Sequence, residues 1–175
     1  MQSYIEIKVP IRWEEPWFEQ LRELLDGVNI RWQHGYYHIT MAFLDETPLG
    51  VDLLTGLNRL LLPADAPTIT FDRLDAFATG GGRRQVIYLT TSHTPAHFQT
   101  LVDDIRHHFK ARGSVIQSDF RLHVTLGRVD DRRMNVAKLK QVINDVDLPA
   151  TTLTLTGVEY RIFRGKTLGQ WKLKA

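Results

Sequence analysis

The sequence predicts an α+β fold: a bilobal, pseudo-twofold molecule in which two antiparallel β-sheets line a central cleft and helices lie outside. Three observations carry this expectation. Segments with apolar residues at every second position alternate with segments whose apolar residues recur at helical spacing. The order β-α-β-β-α-β occurs twice along the chain. Landmarks also recur at a nearly constant offset: Pro10 and Pro95, His38 and His123, and Leu54 and Leu139 stand 85 residues apart, and Gly27 and Gly113 stand 86 apart. The expected organisation is one domain over 1–175 containing lobe-like repeats of about 1–79 and 83–175, divided at Thr79–Gly80–Gly81–Gly82.

The first half opens with a strand over Tyr4–Val9, in which Ile5, Ile7 and Val9 alternate with polar residues. A helix over about Glu14–Asp26 follows, with Pro16 suited to its first turn, Gly27 to its stop, and Trp17, Leu21, Leu24 and Leu25 as its stripe. Strands Val28–Gln33 and Tyr36–Leu44 flank a break at His34–Gly35. A helix over Leu49–Leu62 and a strand over Thr68–Ala78 complete the half. The second half runs through a strand Gln85–Thr91 and a helix capped at Thr94–Pro95 and ended by Gly113, with Phe98, Leu101, Val102, Ile105 and Phe109 as its stripe. A short apolar piece, Val115–Ile116, comes next, then a strand Arg121–Val129 and a helix Asn135–Asp145. Strands Thr151–Phe163 and Leu168–Leu173 close the chain.

With 43% hydrophobic and 24% charged residues, the chain has an ordinary globular composition and enough length to bury a core. It has no cysteine, which excludes disulfide and thiolate chemistry and makes a reducing cytoplasm the natural setting. Residues Met1–Val9 mix Gln2, Glu6 and Lys8 with apolar side chains and do not resemble a signal peptide, and no apolar run is long enough to cross a bilayer. A net charge of +2 does not require a nucleic-acid partner but permits a local basic patch beside a phosphate.

Two short segments carry chemistry. Tyr37-His38-Ile39-Thr40-Met41 and Leu122-His123-Val124-Thr125-Leu126 both read apolar-His-apolar-Thr-apolar, at the same place in each repeat. Side chains alternate across a strand, so His38 shares a face with Thr40, and His123 with Thr125, while Ile39, Met41, Phe43, Leu122, Val124 and Leu126 point into the core. Same-face neighbours sit roughly 6–7 Å apart, within reach of one phosphate. The bland alternative is a pair of half-buried strand histidines, which the matched placement makes a poor account. The other histidines invite bland readings: Gly35 denies His34 and His38 a helical metal-binding geometry, His93 and His97 straddle a helix start, and His107 and His108 lie near a helix end. No metal site and no cofactor are expected.

Opening a cyclic phosphate needs a base to activate water and an acid to protonate the departing ribose oxygen. Imidazole titrates near neutrality, so one ring serves as base while the other is protonated. Attack and departure are roughly in line, which calls for one histidine on each side of the phosphorus, and two lobes about a pseudo-twofold axis supply that. Thr40 and Thr125 are candidates to bind the non-bridging oxygens.

The two His-x-Thr strands, half a chain apart, resemble those of the two-histidine phosphoesterase superfamily, in particular its bacterial and archaeal branch of RNA 2′,3′-cyclic phosphodiesterases, also called 2′–5′ RNA ligases. The resemblance covers most of the chain and rests on His38-Ile39-Thr40-Met41-Ala42-Phe43-Leu44, on His123-Val124-Thr125-Leu126-Gly127-Arg128 and on Gly157-Val158-Glu159-Tyr160. It implies a bilobal, metal-free enzyme that hydrolyses 2′,3′-cyclic phosphates to 2′-phosphates, with His38 protonating the leaving 3′-oxygen and His123 activating water. The sequence by itself does not assign acid and base. Family members often continue the first motif as Phe-Leu-Gly-Glu, where this chain has Phe43-Leu44-Asp45-Glu46. They often begin the second with Pro and end it with Ala-Arg, where Leu122, Gly127 and Arg128 stand.

Arg128 is a candidate phosphate-side cation. Arg83 and Arg84 follow the triple glycine and suit either the cleft rim or a plain surface turn. Trp32, Tyr36 and Phe43 are candidates for base stacking, although strand aromatics more often lie in a core. The expected substrates are RNA 3′ ends or small cyclic nucleotides, the expected state is a monomer away from membranes, and reverse 2′–5′ ligation is a secondary activity. A phosphodiesterase for a small cyclic nucleotide, such as a cyclic phosphate of ADP-ribose, and a non-catalytic RNA- or nucleotide-binding module are the alternatives.

Overall fold

Ten strands and four helices follow one another in the computed structural model, which describes residues 1–175. The first half runs β1 (Ser3–Lys8), α1 (Pro16–Leu24), β2 (Ile30–Trp32), β3 (His38–Leu44), α2 (Val51–Leu61), β4 (Thr68–Phe71) and β5 (Arg73–Thr79). The second runs β6 (Arg84–Thr90), α3 (Ala96–Ala111), β7 (Val124–Val129), α4 (Val136–Ile143), β8 (Thr151–Thr154), β9 (Gly157–Ile162) and β10 (Thr167–Lys172). The class is α+β with two antiparallel sheets. The large one has eight strands in the order β10-β9-β1-β3-β7-β6-β5, with β2 also pairing on β7, and the small one is β4-β8.

Pairing exchanges strands between the two halves. The wing built on β1 and β3 takes β9 and β10 from the second half, and the wing built on β6 and β7 takes β2 and β5 from the first. Matching β1 with β6, β3 with β7 and β9 with β5, the order β9-β1-β3-β7-β6-β5 reads the same from either end. The wings join at a single pair, Ile39 opposite Val124, the residues that follow the two histidines. Gly80–Gly82 makes a tight turn between paired strands, with Thr79 opposite Arg84; its three residues take φ of +58°, +71° and +88°, a run only glycine adopts without strain.

The helices cover one face of the large sheet and close a contiguous core of 35 buried residues, among them Ile5, Ile7, Ile39, Met41, Ile87, Leu89, Val124 and Leu126. On α1 the buried stripe is Trp17, Phe18, Leu21 and Leu25; Leu24, expected inside, is 42% exposed because it lies off that line. The α3 stripe is buried as expected, but its cap is Pro95 with no side-chain bond, rather than Thr94. Asn135 does cap α4, its side chain accepting from Lys138 N at 2.9 Å.

The long strands expected over Thr68–Ala78 and Thr151–Phe163 each break in two. At the first break the Asp72 carboxylate accepts from the backbone of Ser92 at 2.8 Å, and at the second Leu155 N donates to Pro67 O at 2.9 Å, so the chain crosses from the small sheet to the large one at both points. A bulge recurs in both wings. Ile5 and Glu6 face Ala42 and Thr40, leaving Met41 over; Ile87 and Tyr88 face Gly127 and Thr125, leaving Leu126 over. Each bulge falls just after the motif threonine and resets the alternation. Met41 and Ala42 are consequently both buried, and Phe43, expected in the core, turns to the open face beside Tyr4 and Phe163, 6.1 and 5.7 Å away between ring centroids.

Candidate active site

The seam between the wings places the four motif residues together. Ile39 and Val124 point inward and are fully buried, so in the antiparallel register His38 lies across from Thr125, and Thr40 across from His123, on the opposite face. Pairing is confined to that one position, and His123 stands just ahead of β7, so the strands splay around the site. Neither threonine hydroxyl is engaged by another protein group. His38 and His123 are close enough that the charge of one disfavours charge on the other.

The two imidazoles have unlike surroundings. His123 Nδ1 lies 2.8 Å from the carbonyl of Arg121; a carbonyl only accepts, so Nδ1 carries the proton and Nε2 keeps its lone pair. Phe77 and Tyr88 stand edge-on to this ring at 5.6 and 5.8 Å. Burial lowers the His123 pKa, Arg121 and Arg128 lower it further, and the Arg121 carbonyl works against them.

His38 sits among charges instead. Its Nδ1 is 3.4 Å from Oε2 of Glu6, a side chain with no solvent exposure. Arg161 reaches Glu6 Oε1 at 3.7 Å and Glu159 Oε2 at 3.6 Å, and donates to Tyr36 Oη at 3.2 Å. Glu159 also receives Lys8 at 3.0 Å and Gln170 at 2.9 Å. The tyrosine rings of Tyr36 and Tyr4 lie 5.2 and 6.0 Å from His38. Burial, then His123, Arg161 and Arg128, pulls the His38 pKa down to about 4. Burial pushes Glu6 up to about 7, with Glu159 adding to the rise and Arg161 and Lys8 opposing it. A neutral carboxylic acid beside a neutral imidazole satisfies both directions.

Arg128 faces Arg31 across β2 and β7, and its charge bears on both histidines. Neither guanidinium has a carboxylate partner, so the two like charges border the seam unneutralised. Arg84 joins them along a groove with Asn29 and Asp130, pairing with Asp130 at 3.9 Å, whereas Arg83 lies in the exposed turn and lines a different hollow. Of the aromatic candidates, Tyr36 and Phe43 border the site, while Trp32 packs inward against Phe18 at 5.9 Å.

The remaining histidines belong elsewhere. His34 packs on Trp13 at 4.4 Å, and His108 lies over Gly56 with its Nε2 3.2 Å from Leu53 O. A hollow between α2 and α3 lined by Asp52, Arg59, His107 and Arg112 mixes acids with bases on the covered side of the sheet, away from the paired motifs. No three acidic or histidine side chains converge as a metal site. No helix is long and apolar enough to cross a membrane.

Sequence reasoning missed Glu6, Glu159 and Arg161 beside His38, and Phe77 and Tyr88 beside His123. For the three charged residues the signal was polar alternation in strands such as Ile5-Glu6-Ile7-Lys8, a pattern that ordinarily marks a solvated face, whereas Phe77 and Tyr88 read as ordinary strand aromatics.

A duplicated α+β sheet with one His-x-Thr strand from each half at its seam defines a class of two-histidine proteins. Residues 9–165 match the model of the 2′-5′ RNA ligase superfamily, and the chain belongs to that family. No curated protein matches it in sequence. Among solved structures, the fold is similar to E. coli LigT complexed with 3′-AMP (TM-score 0.62, 20% identity, 99% of this chain and 98% of that one). It is also similar to TT0787 of Thermus thermophilus (0.65, 17%, 100% and 99%) and to Kluyveromyces marxianus Usb1 (0.63, 11%, 98% and 98%).

Proposed function

We propose that this chain is a phosphodiesterase that opens RNA-type 2′,3′-cyclic phosphates to 2′-phosphates, with the two imidazoles as acid and base. The observation that carries this reading is the Ile39–Val124 pair, which sets two imidazoles and two free hydroxyls on one face at the seam. His123 is the base: its Nδ1 proton is committed to the Arg121 carbonyl, and Nε2 is free to take a proton from water. His38 is then the acid that protonates the departing 3′-oxygen. Thr40 and Thr125 donate to the non-bridging oxygens, and Arg128 balances the charge that grows on them. Nucleotide ligands fit this reading, since E. coli LigT has been crystallised with 3′-AMP and with phosphate.

The test is an assay on adenosine 2′,3′-cyclic phosphate, with and without chelator, scoring 2′-AMP against 3′-AMP. The expected result is 2′-AMP at a rate indifferent to chelator, reduced about 10²- to 10⁴-fold in His38→Ala and in His123→Ala. Tight binding without turnover would instead make the chain a binding module. Turnover of an ADP-ribose cyclic phosphate in preference to RNA ends would reassign the substrate.

A further inference from the structure

We infer that Glu6 is a positioning residue for the acid: a buried carboxyl that shares one proton with His38 and refills the imidazole at Nδ1 as Nε2 gives its proton to the leaving group. This rests on the reading of His38 as the acid, and adds where its proton is held.

The geometry is specific. Glu6 has no solvent exposure and is locked in β1 between Thr40 on one side and Glu159 on the other. Glu6 Oε2 and His38 Nδ1 both lack a well-formed hydrogen bond and face one another at 3.4 Å, while Glu6 Oε1 turns to Arg161 at 3.7 Å. A carboxyl buried without a compensating partner is costly, so orphaned acceptor and orphaned ring nitrogen are best satisfied by a proton between them. The charged groups around the couple are Lys8 on β1, Glu159 and Arg161 on β9, and His123 and Arg128 across the seam; Tyr4 and Tyr36 are the remaining titratable neighbours. The matching position in the other wing, opposite Thr125, holds Tyr88, so His123 has no such carboxyl. That asymmetry separates two otherwise equivalent histidines.

The proton count balances. As the bond from phosphorus to the ribose oxygen breaks, the Nε2 proton of His38 passes to that oxygen, and the carboxyl proton of Glu6 passes to Nδ1. Glu6 is left as a carboxylate facing Arg161. Water loses one proton to His123 Nε2 as its oxygen bonds to phosphorus. Return of that proton, through solvent, restores the couple.

The test is Glu6→Gln, which keeps the size of the side chain but cannot supply a proton, compared with Glu6→Asp. Two readouts are taken: the pH profile of kcat/KM on adenosine 2′,3′-cyclic phosphate, and the titration of each imidazole by ¹⁵N NMR. In the wild type the alkaline limb reports the couple. In Glu6→Gln, His38 must hold its proton unaided, so that limb moves toward acid by about one pH unit or more and the rate near pH 7 falls on the order of 10²-fold. The NMR midpoint of His38 moves with it and that of His123 does not, while Glu6→Asp retains part of the wild-type profile. A Glu6→Gln protein with the wild-type His38 titration overturns the inference, as does one with an unshifted profile. Should the wild type fail to turn over the cyclic phosphate, the functional reading falls, and the NMR titration still decides whether the couple exists. Misfolding of Glu6→Gln would appear as a displaced His123 midpoint, and Glu6→Asp then carries the comparison: its shorter carboxyl is expected to move the His38 midpoint part of the way toward acid, and a midpoint identical to that of the wild type overturns the couple.

Discussion

Burial pulls both imidazoles toward their neutral forms, and what differs is the company each keeps. The shifts have a consequence for stability that follows from proton counts in the folded and unfolded chains. His38 has a folded pKa near 4, below its ordinary 6.5, so between these values the unfolded chain binds the extra proton and stability rises with pH. Glu6 has a folded pKa near 7, above its ordinary 4.5, so from 4.5 to 7 the folded chain keeps the extra proton and stability falls with pH. Over their shared window the two contributions oppose each other. The wild type is therefore expected to show little pH dependence from this pair between pH 4.5 and 6.5. Glu6→Gln removes the second contribution, and the acidic shift of His38 in that variant leaves the first at full slope across this window, so the unfolding free energy of the variant is expected to climb by up to about 1.4 kcal/mol per pH unit relative to the wild type. Urea denaturation at three pH values in that window measures this, and parallel curves for the two proteins would refute the paired titration. At this scale the sequence was informative about the motif and silent about its support. His38-x-Thr40 and His123-x-Thr125 are local patterns, legible wherever a strand is recognised. Glu6, by contrast, becomes a buried partner only because Glu159 and Arg161 arrive from a strand near the other end of the chain.

Helices were legible because each apolar stripe is a local record of a buried face, and the differences, such as Phe18 inside and Leu24 outside, amount to a rotation of one residue. Strands were less so. A run of β-forming residues records extended backbone but not its partner, and both long runs are cut where the chain changes sheets. The bulges were invisible for the same reason, since an extra residue is defined only against the opposing strand. They also account for a departure in the second motif, where Gly127 stands in place of the alanine common in the family. The bulge turns Gly127 inward, opposite Trp32, and a Cβ there would meet Trp32 Cε3 at 2.8 Å and Ile30 Cγ2 at 3.0 Å. The indole thus fills the space that a methyl group would need. Gly127→Ala, although it restores the familiar residue, is expected to force Trp32 aside and cost about 1–3 kcal/mol by overpacking. That corresponds to a melting temperature lower by roughly 3–10 °C for a chain of this size. Thermal denaturation gives the number, and tryptophan fluorescence shows whether the indole moved; an unchanged melting temperature would mean that Trp32 yields without cost. Because Arg128 is the next residue, a displaced Trp32 is also expected to raise KM more than it lowers kcat.

The duplication that the constant offsets reveal is a repeat of sequence, but the pairing of strands does not respect it. Offsets record a recurring order of residues along the chain and carry no information about which half's edge a strand joins. Each wing is completed by strands from the opposite half: β1 has β9 on its outer side, β6 has β5, and β7 has β2. The first half alone would leave β1 with an open edge and β5 and β2 without partners, and the second half would leave β9 and β10 without β1. Unpaired edges of this kind are poorly stable and prone to associate. The halves are therefore expected to fold as one unit, giving a single two-state unfolding transition in which far-UV and near-UV signals change together. A direct test is to separate the chain within the Gly80–Gly82 turn into 1–80 and 81–175. Each fragment is expected to be largely disordered by NMR and without activity on the cyclic phosphate, since each holds only one of the two motif histidines. Mixed in equal amounts, they should recover the dispersed spectrum and part of the activity, because the turn is an exposed hairpin whose ends stay tied by the β5–β6 ladder. A fragment that folded by itself would show that the exchanged strands add little to either wing, and would make each half a domain in its own right.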